Sequence, residues 1–393
     1  MHYRDDMREI AEAARARTFA AARDDATVIV STDTNHVGWL TGYRSVLADA
    51  DRYFRCAAIV TPNRTVLVTG TSDAAPALEV LRDPTCVHRY GVFYVSSVEG
   101  GIDLASMPTV EASFADALAA ALKAHVGPAD VVGIDGVTPA DLQQVEALVG
   151  GAKTFDARPA VIKARSVKSP GEIAVMRHAA TITERGLEKA FAAARPGMTE
   201  LDLATIISTE MVAGGGIPRF VVVTAGDRAA LADAYATRAV LKPGDLVRVD
   251  LGCTVDGYWC DMARTAVMGE PTPLQRDRYQ ALLDGELAQL AIAKAGITAG
   301  ALFDVAVNRV RQGALPNYQR SHCGHGLGIG PHEFPTLNVA NRDVEIVENM
   351  VLCVETPFYE LGWGGMMVED VILIRPDGHE SFTKLPRELR VLG

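Results

Sequence analysis

The chain lacks three features that would each have pointed to a class of protein. No apolar run reaches the roughly 18 residues of a membrane-spanning helix, and no two cysteines show the Cys-x-x-Cys spacing. No basic stripe accompanies the net charge of −11. Phosphate binding requires clustered Lys and Arg. We therefore expect neither a membrane nor a nucleic acid as a partner.

The remaining composition is that of an ordinary globular protein, with 393 residues, 48% of them apolar and 22% charged. This length is enough for two domains. The opening stretch MHYRDDMREI is too charged for a signal peptide. The six cysteines are then interpreted as reduced thiols. We expect a cytoplasmic protein.

Turn residues and hydrophobic periodicity divide the chain into an α/β domain at 1–165 and a catalytic domain at 166–393. A boundary near Arg165–Lys168 is followed by a capping box, Ser169 to Glu172, which starts a helix. The predicted strands of the first domain are Thr27–Val30, Cys56–Thr61, Thr65–Thr69, Val87–Val95 and Val131–Ile134, and its predicted helices are Ser113–Ala124 and Thr138–Leu148.

The second domain is predicted to be mixed α+β, with an antiparallel sheet that carries the chemistry. Helices are expected to begin at Ser169-Pro170, Thr199, Thr272-Pro273 and near Ala301. The predicted strands are Phe220–Thr224, Leu246–Asp250, Trp259–Val267, Met350–Glu355 and Met366–Ile374.

A two-residue turn at Asp256-Gly257 predicts the register of the first hairpin. Residues whose numbers add up to 513 then face each other, which places Asp261 opposite Gly252 and one diagonal step from Asp250. Two carboxylates side by side repel unless a cation or a proton compensates. On the other face, Cys253 and Cys260 are expected to pack in the core as small apolar thiols.

A second hairpin, centred on Gly362, predicts that Glu355 lies directly opposite Glu369. An alternative interpretation is that these acids are exposed and paired with Lys or Arg. Both strands are otherwise apolar and contain no nearby cation, so a metal is favoured over that alternative.

Three histidines, His322, His325 and His332, fall within eleven residues, and His325 is flanked by glycines that let the backbone approach an ion. Four carboxylates and one imidazole form the oxygen-rich ligand set that two divalent cations share. The predicted metal ligands are Asp250, Asp261, His325, Glu355 and Glu369.

These motifs resemble the pita-bread metallohydrolases, the family of prolidase, aminopeptidase P, methionine aminopeptidase and the metal-free creatinase. The stretches that carry the resemblance are VRVDLGCTVDGYWCDMARTAVMGEP, HCGHGLGIGPHEFP, VETPFY and VEDVILIRPDG, and NHVGWLTGYRS is similar to the N-terminal domain of the prolidase and creatinase branch. The resemblance implies a smaller creatinase-like domain followed in sequence by a pita-bread catalytic domain.

The resemblance also implies a dinuclear centre of manganese, zinc, iron or cobalt that activates a water molecule for hydrolysis of a C–N bond. Glu355 would be the acid/base, and His332 would hydrogen-bond the substrate carbonyl. Relatives with this N-terminal domain imply a homodimer, with Trp39, Tyr43, Tyr53 and Phe54 as candidates for its border.

Three positions depart from the prolidase-like pattern. Asp233 and Ser321 stand where the family usually has histidine, with His322 one step after Ser321, and Met367 stands where arginine is common. Asp233, His322 and Met367 are our candidate substrate-binding residues. A pocket made more negative in this way would tolerate a cationic substrate better than a peptide carboxylate.

The main prediction is a metal-dependent, Xaa-Pro peptidase-like hydrolase of a C–N bond, in which Asp233, Ser321 and Met367 make efficient Xaa-Pro cleavage absent or poor. The alternatives are a creatinase- or ectoine-hydrolase-like enzyme acting on a small cationic amide, a metal-assisted lyase, and a binding module. The sequence Asp250-Leu251-Gly252 argues against the lyase, and retention of all five ligands argues against the binding module. The true substrate and the native metal stay open at this point.

Overall fold

A computed structural model describes residues 5–101, 103–136 and 138–393. The described chain forms two compact units that meet in sequence between Arg165 and Ser166. Among the described residues, no helix has the length and apolar character needed to cross a membrane.

The first unit contains a six-stranded sheet with helices before, between and after its strands. Its elements are α1 (Asp5–Ala21), β1 (Val28–Ser31), α2 (Thr34–Thr41), α3 (Leu47–Ala50), β2 (Ala57–Val60), β3 (Thr65–Gly70), α4 (Ala74–Leu81), β4 (Val87–Tyr90), α5 (Phe114–His125), β5 (Val131–Asp135), α6 (Pro139–Leu148), β6 (Lys153–Asp156) and α7 (Arg158–Ser166). The strand order is β4-β3-β2-β1-β5-β6. The two pairings that join β1, β2 and β3 are antiparallel, and the other pairings are parallel.

Local signals explain most of this unit. Ser113 caps α5, and Thr138 with Asp141 forms the capping box of α6. The predicted strand Val87–Val95 is wrong beyond Tyr90. Gly91 adopts φ 81 and ends the strand, and the apolar side chains that follow it are exposed to solvent.

The aromatic residues proposed for a dimer border divide into two groups. Trp39 and Phe54 are buried within the first unit, so their choice as border residues is wrong. Tyr53 is exposed and Tyr43 is half-buried. The turn-rich character of the segment hid the fact that Trp39 lies within α2, on a helix whose residues from His36 to Thr41 are buried.

The second unit is built on a larger, mostly antiparallel sheet. Its elements are α8 (Pro170–Ala193), α9 (Glu200–Ala213), β7 (Ile217–Ala225), β8 (Leu246–Val255), β9 (Tyr258–Trp259), β10 (Met262–Met268), α10 (Pro273–Ile292), α11 (Ala299–Arg311), β11 (Gly324–Gly326), β12 (Glu333–Thr336), β13 (Val351–Glu355), β14 (Phe358–Glu360), β15 (Gly364–Met366), β16 (Glu369–Arg375), β17 (Gly378–Ser381) and β18 (Arg390–Leu392). The central strand order is β12-β11-β13-β16-β10-β8-β7.

The predicted helix starts of this unit are confirmed by their caps. Ser169, Thr199 and Thr272 each accept a hydrogen bond from the backbone three residues on, and each is part of a capping box. The predicted strand Met366–Ile374 is divided in two. Its first residue belongs to β15, which pairs with β14 in a separate two-stranded sheet, and β16 begins at Glu369.

Candidate metal centre

The hairpin of β8 with β9 and β10 has the predicted register. Asp256 and Gly257 both take positive φ, 47° and 87°, as a tight two-residue turn requires. Val255 faces Tyr258, and beyond the turn Asp250 faces Ala263. The same offset therefore holds on both sides of the break between β9 and β10.

The second hairpin also has its predicted register. Gly362 takes φ 84 at the centre of the turn. Glu360 faces Gly364 in the outer sheet, and Glu355 faces Glu369 in the main sheet. The two glutamates are thus direct cross-strand neighbours.

A single row of residues crosses four strands of the main sheet. Asp250 faces Ala263, Ala263 faces Glu369 on its other side, and Glu369 faces Glu355. Cross-strand partners project on the same side of a sheet, so the three acids share one face. Asp261 lies two residues before Ala263 and belongs to that face. The small side chain of Ala263 leaves space among the carboxylates.

His325 reaches the same face from β11. It pairs with Cys353, which lies two residues before Glu355 on β13. The His325 Nδ1 atom is 3.0 Å from the carbonyl oxygen of Gly326. A carbonyl can only accept, so Nδ1 carries the proton and Nε2 is left as an acceptor or ligand. Nε2 lies 4.0 Å from Oε1 of Glu369.

Burial disfavours the charged forms of these four acids. Burial raises the pKa of Asp250 to about 7, against the opposing charge of Arg248. Burial, with the neighbouring carboxylates, raises the pKa of both Asp261 and Glu369 well above the usual range. Burial alone would also raise the pKa of Glu355, but contact with His322 and the charges of His325 and Arg320 lower it. The positive charges nearby do not offset the desolvation and mutual repulsion of Asp250, Asp261 and Glu369.

The donor set fits divalent cations. Oδ1 of Asp261 and Oε2 of Glu369 are buried and have no hydrogen-bond partner among the described residues. Unpaired buried carboxylate oxygens are costly unless an ion compensates them. Ligand atoms of Asp261, His325, Cys353 and Glu369 all lie within 4.8 Å of one another, and all four residues are buried. These residues could together hold a metal ion.

Two arginines lie near the acids, and the one beside Glu355 corrects the expectation that Glu355 and Glu369 have no cation nearby. Arg248 is fully buried, its Nη1 is 3.5 Å from Oδ2 of Asp250, and it donates to the carbonyl oxygens of Ala229, Leu231 and Ala232. Arg320 Nη2 lies 3.8 Å from Oε2 of Glu355. Arg320 lies in the loop before β11, outside the two strands on which the prediction was based.

Comparison with known proteins identifies the family. The model of metallopeptidase family M24 matches residues 174–376. The chain belongs to this family. It is 30% identical over 263 residues to the Xaa-Pro dipeptidase of Pyrococcus furiosus, covering 66% of this chain and 75% of that protein. It is 30% identical over 242 residues to the Xaa-Pro dipeptidase of Lactobacillus helveticus, covering 61% and 66%.

The fold is shared with solved structures over nearly the whole chain. The X-Pro aminopeptidase of Thermotoga maritima superposes with a TM-score of 0.77 at 22% identity, covering 97% of this chain and 99% of that one. The predicted fold class, a pita-bread domain with a smaller α/β domain, is confirmed. The prediction of a metal-dependent hydrolase of a C–N bond is confirmed by the M24 membership, whose enzymes bind divalent metals.

The predicted residues outside the ligand set lie around this M24 centre. His322 Nδ1 is 3.0 Å from Oε1 of Glu355, and the ring centroids of His325 and His332 are 3.9 Å apart. Asp233 is exposed. Its charge nevertheless raises the pKa of Asp250. For His332, burial lowers the pKa, and the charge of Asp233 opposes that lowering.

Met367 is buried, and its sulfur accepts from the hydroxyl of Tyr359 at 3.8 Å. The guanidinium groups of Arg248 and Arg320 both lie over the ring of Tyr359, with their central carbons 5.2 Å and 5.9 Å from the ring centroid. Tyr359, Arg248, Arg320 and Cys353 were not predicted as site residues. For Arg248 and Cys353 the alternation of a strand offered the signal, since each lies two residues before a predicted ligand.

Proposed function

We propose that the chain hydrolyses Xaa-Pro dipeptides with two divalent ions held by Asp250, Asp261, His325, Glu355 and Glu369. The observation that carries the proposal is the cluster of buried acids on one face of the sheet, in which Asp261 and Glu369 have oxygens without a hydrogen-bond partner among the described residues. Similarity to the two Xaa-Pro dipeptidases supports the substrate class.

Ions bound in such a site lower the pKa of water and polarise a carbonyl group. Glu355 moves the proton in our proposal. Its Oε1 lies 3.0 Å from His322 and its Oε2 lies 3.8 Å from Arg320, and this carboxylate would accept the proton of the attacking water and return it to the leaving nitrogen. Partial desolvation lowers the pKa of His332, which favours its neutral form. A neutral imidazole N–H can donate to the carbonyl oxygen of the substrate.

Charge around the site favours a substrate that carries a carboxylate. Arg320 lies beside Glu355, and the Nε atom of Arg320 is buried without a hydrogen-bond partner among the described residues. Arg248 is fixed by backbone carbonyls beside Asp250. A small cationic amide is the second candidate, and the exposed carboxylate of Asp233 is the observation that favours it.

The decisive experiment measures bound metal and hydrolysis together. We expect a wild-type kcat/KM for an Xaa-Pro dipeptide of about 10⁴ M⁻¹s⁻¹ or more. Asp261→Asn should lose at least one ion and about 100-fold or more in kcat/KM, whereas Asp377→Asn, in an exposed turn of the same unit, should match wild type. Full activity of Asp261→Asn, or of thoroughly chelated protein, would rule out the proposal.

We further propose that the protein is a cytoplasmic homodimer whose two units are separate domains. The exposed Tyr53 and the half-buried Tyr43 remain candidates for the subunit border. Light scattering at micromolar concentration tests the oligomeric state. A fully active monomer would contradict the dimer without affecting the hydrolase assignment.

A further inference from the structure

A thiol stands among the carboxylates of the metal centre. Cys353 offers its sulfur within 4.8 Å of ligand atoms of Asp261, His325 and Glu369. Cys353 is fully buried, as are five further free cysteines, which are Cys56, Cys86, Cys253, Cys260 and Cys323. Of the buried cysteines, only Cys353 falls within this cluster of potential ligands among the described residues.

The sheet register places that thiol on the metal-binding face. Cys353 faces His325 on β11 and Val371 on β16. It lies two residues before Glu355 on the same strand, and alternate residues of a strand project on the same side. Its sulfur is 3.7 Å from the backbone oxygen of Asp261 and interacts with the carboxylate of Glu369.

Other thiols nearby do not share this position. Cys253 is just as buried and lies in the same sheet, but its sulfur is 3.3 Å from Oγ1 of Thr183 on α8. It therefore points to the opposite face from Asp250. The unpaired oxygens of Asp261 and Glu369 lie in the group with Cys353 and need a cation independently of the cysteine.

We propose that the sulfur of Cys353 is a ligand of the ion held by Asp261, His325 and Glu369, and that it biases this position toward zinc over manganese. The inference rests on the proposed function. One nitrogen, one sulfur and carboxylate oxygens form a ligand set that zinc accepts readily, whereas manganese prefers oxygen. On binding, the S–H bond breaks, the sulfur–metal bond forms and the proton leaves to solvent.

Cobalt(II) makes the sulfur ligand visible, because a thiolate bound to cobalt gives a charge-transfer band in the near ultraviolet. The metal-free full chain is titrated with Co²⁺ without oxygen, and bound cobalt is counted at each step. We expect the band in wild type and in the matched control Cys253→Ser. We expect its loss in Cys353→Ser and Cys353→Ala, while the control and wild type bind equal amounts of cobalt.

A competition between Zn²⁺ and Mn²⁺ provides the second measurement. Cys353→Ser should lower the preference for zinc at one site by about tenfold or more, since tuning of a ligand set commonly has effects of this size. Cys253→Ser should leave the preference unchanged. Neither readout depends on turnover of a peptide.

The outcomes separate the two proposals. If wild type binds two cobalt ions and cleaves dipeptides but shows no sulfur band, Cys353 is not a ligand and the proposed function stands. If the band survives in Cys353→Ser, the inference is likewise overturned. If wild type binds no cobalt at all, the inference fails together with the metal centre. The wild-type spectrum decides the case even where a variant fails to fold.

Discussion

The guanidinium of Arg320 lies beside Glu355, so a substrate carboxylate that binds Arg320 would compete with Glu355. Its guanidinium is 3.8 Å from Glu355 in the structure, and its Nε has no hydrogen-bond partner among the described residues. An ion bound by Glu355 would satisfy that carboxylate, and Arg320 would then be free to pair with an anion of the substrate. The replacement of the common arginine by Met367 therefore does not leave the site without cations.

We predict that Arg320→Gln raises the KM of an Xaa-Pro dipeptide by about tenfold or more, because a hydrogen bond to a charged group contributes about 1.5–3 kcal/mol. The amide of the same dipeptide, which lacks the carboxylate, should be affected much less. Arg309→Gln, which removes an exposed helix ion pair, is the control. Equal losses on the dipeptide and its amide would assign Arg320 to positioning Glu355 instead.

A pH prediction concerns His88, far from the metal centre in sequence. Its Nε2 is 3.0 Å from Nε2 of His125, and burial with the charge of His125 lowers the pKa of His88 from 6.5 to about 4. The unfolded chain therefore binds more protons than the folded one between about pH 6.5 and 4. Stability from this residue is present above pH 6.5 and is lost as the pH falls through that window.

We expect His88→Asn to reduce the fall in unfolding free energy between pH 6.5 and 4 by about 1–2 kcal/mol, a figure that allows for solvent screening. Urea unfolding of the full chain at several pH values measures the difference from wild type. His178→Asn changes an exposed histidine and should reproduce the wild-type slope. An unchanged slope in His88→Asn would show that His88 is not held neutral.

The hairpins and helix caps could be predicted because they depend on residues close in sequence. Asp256-Gly257 determines which residues of β8 and β10 face each other, and the turn at Gly362 does the same for Glu355 and Glu369. Convergence within each pair of acids then follows from strand alternation, whereas the pairing of Ala263 with Glu369 that brings the two pairs together could not be predicted from the hairpins. His325 could be anticipated from its flanking glycines, but its pairing with Cys353 could not.

What sequence reasoning missed depends on contacts between distant segments. Arg320 approaches Glu355 from a loop, and Arg248 is held by the carbonyl oxygens of a segment nearly twenty residues away. The burial of Trp39 and the early end of β4 at Tyr90 likewise depend on how helices and loops pack on a sheet. The hydrophobic periodicity of one strand gives no information about side chains that approach it from distant segments.

Because Gly252 has no side chain, β8 can lie close to the segment that carries Asp261. A Cβ atom at this position would lie 2.2 Å from the carbonyl oxygen of Cys260, a backbone atom that cannot move aside without moving the strand. We predict that Gly252→Ala separates β8 from the segment that carries Asp261. Loss of well-oriented ligands should weaken metal binding by about tenfold or more.

Isothermal titration of the metal-free variant with Mn²⁺ and Zn²⁺ measures this effect. Gly378→Ala is the matched control, because a Cβ at Gly378 meets nothing within 4 Å. It should change metal affinity little. Metal binding by Gly252→Ala equal to that of wild type would show that the two strands do not have to lie so close for the acids to converge.

All five proposed ligands belong to the unit that runs from Ser166 to Gly393, on strands β8, β13 and β16, in β11 and next to β10. Ions held by these residues would stabilise the unit that contains them. A ligand present at 100 times its dissociation constant stabilises the folded state by about 2.7 kcal/mol. Chelation should therefore affect the two units unequally.

We predict that removing metal from the full chain accelerates amide hydrogen exchange in β8, β10, β13 and β16, because their carboxylates lose the ions that offset their repulsion. Exchange in β1, β2 and β5 of the first unit should change little, and these strands serve as the internal control. Adding Zn²⁺ or Mn²⁺ back should restore protection in the second unit. Equal loss of protection in both units would show that the metal stabilises the whole chain as one cooperative structure, and no change in either would contradict a metal centre on this sheet.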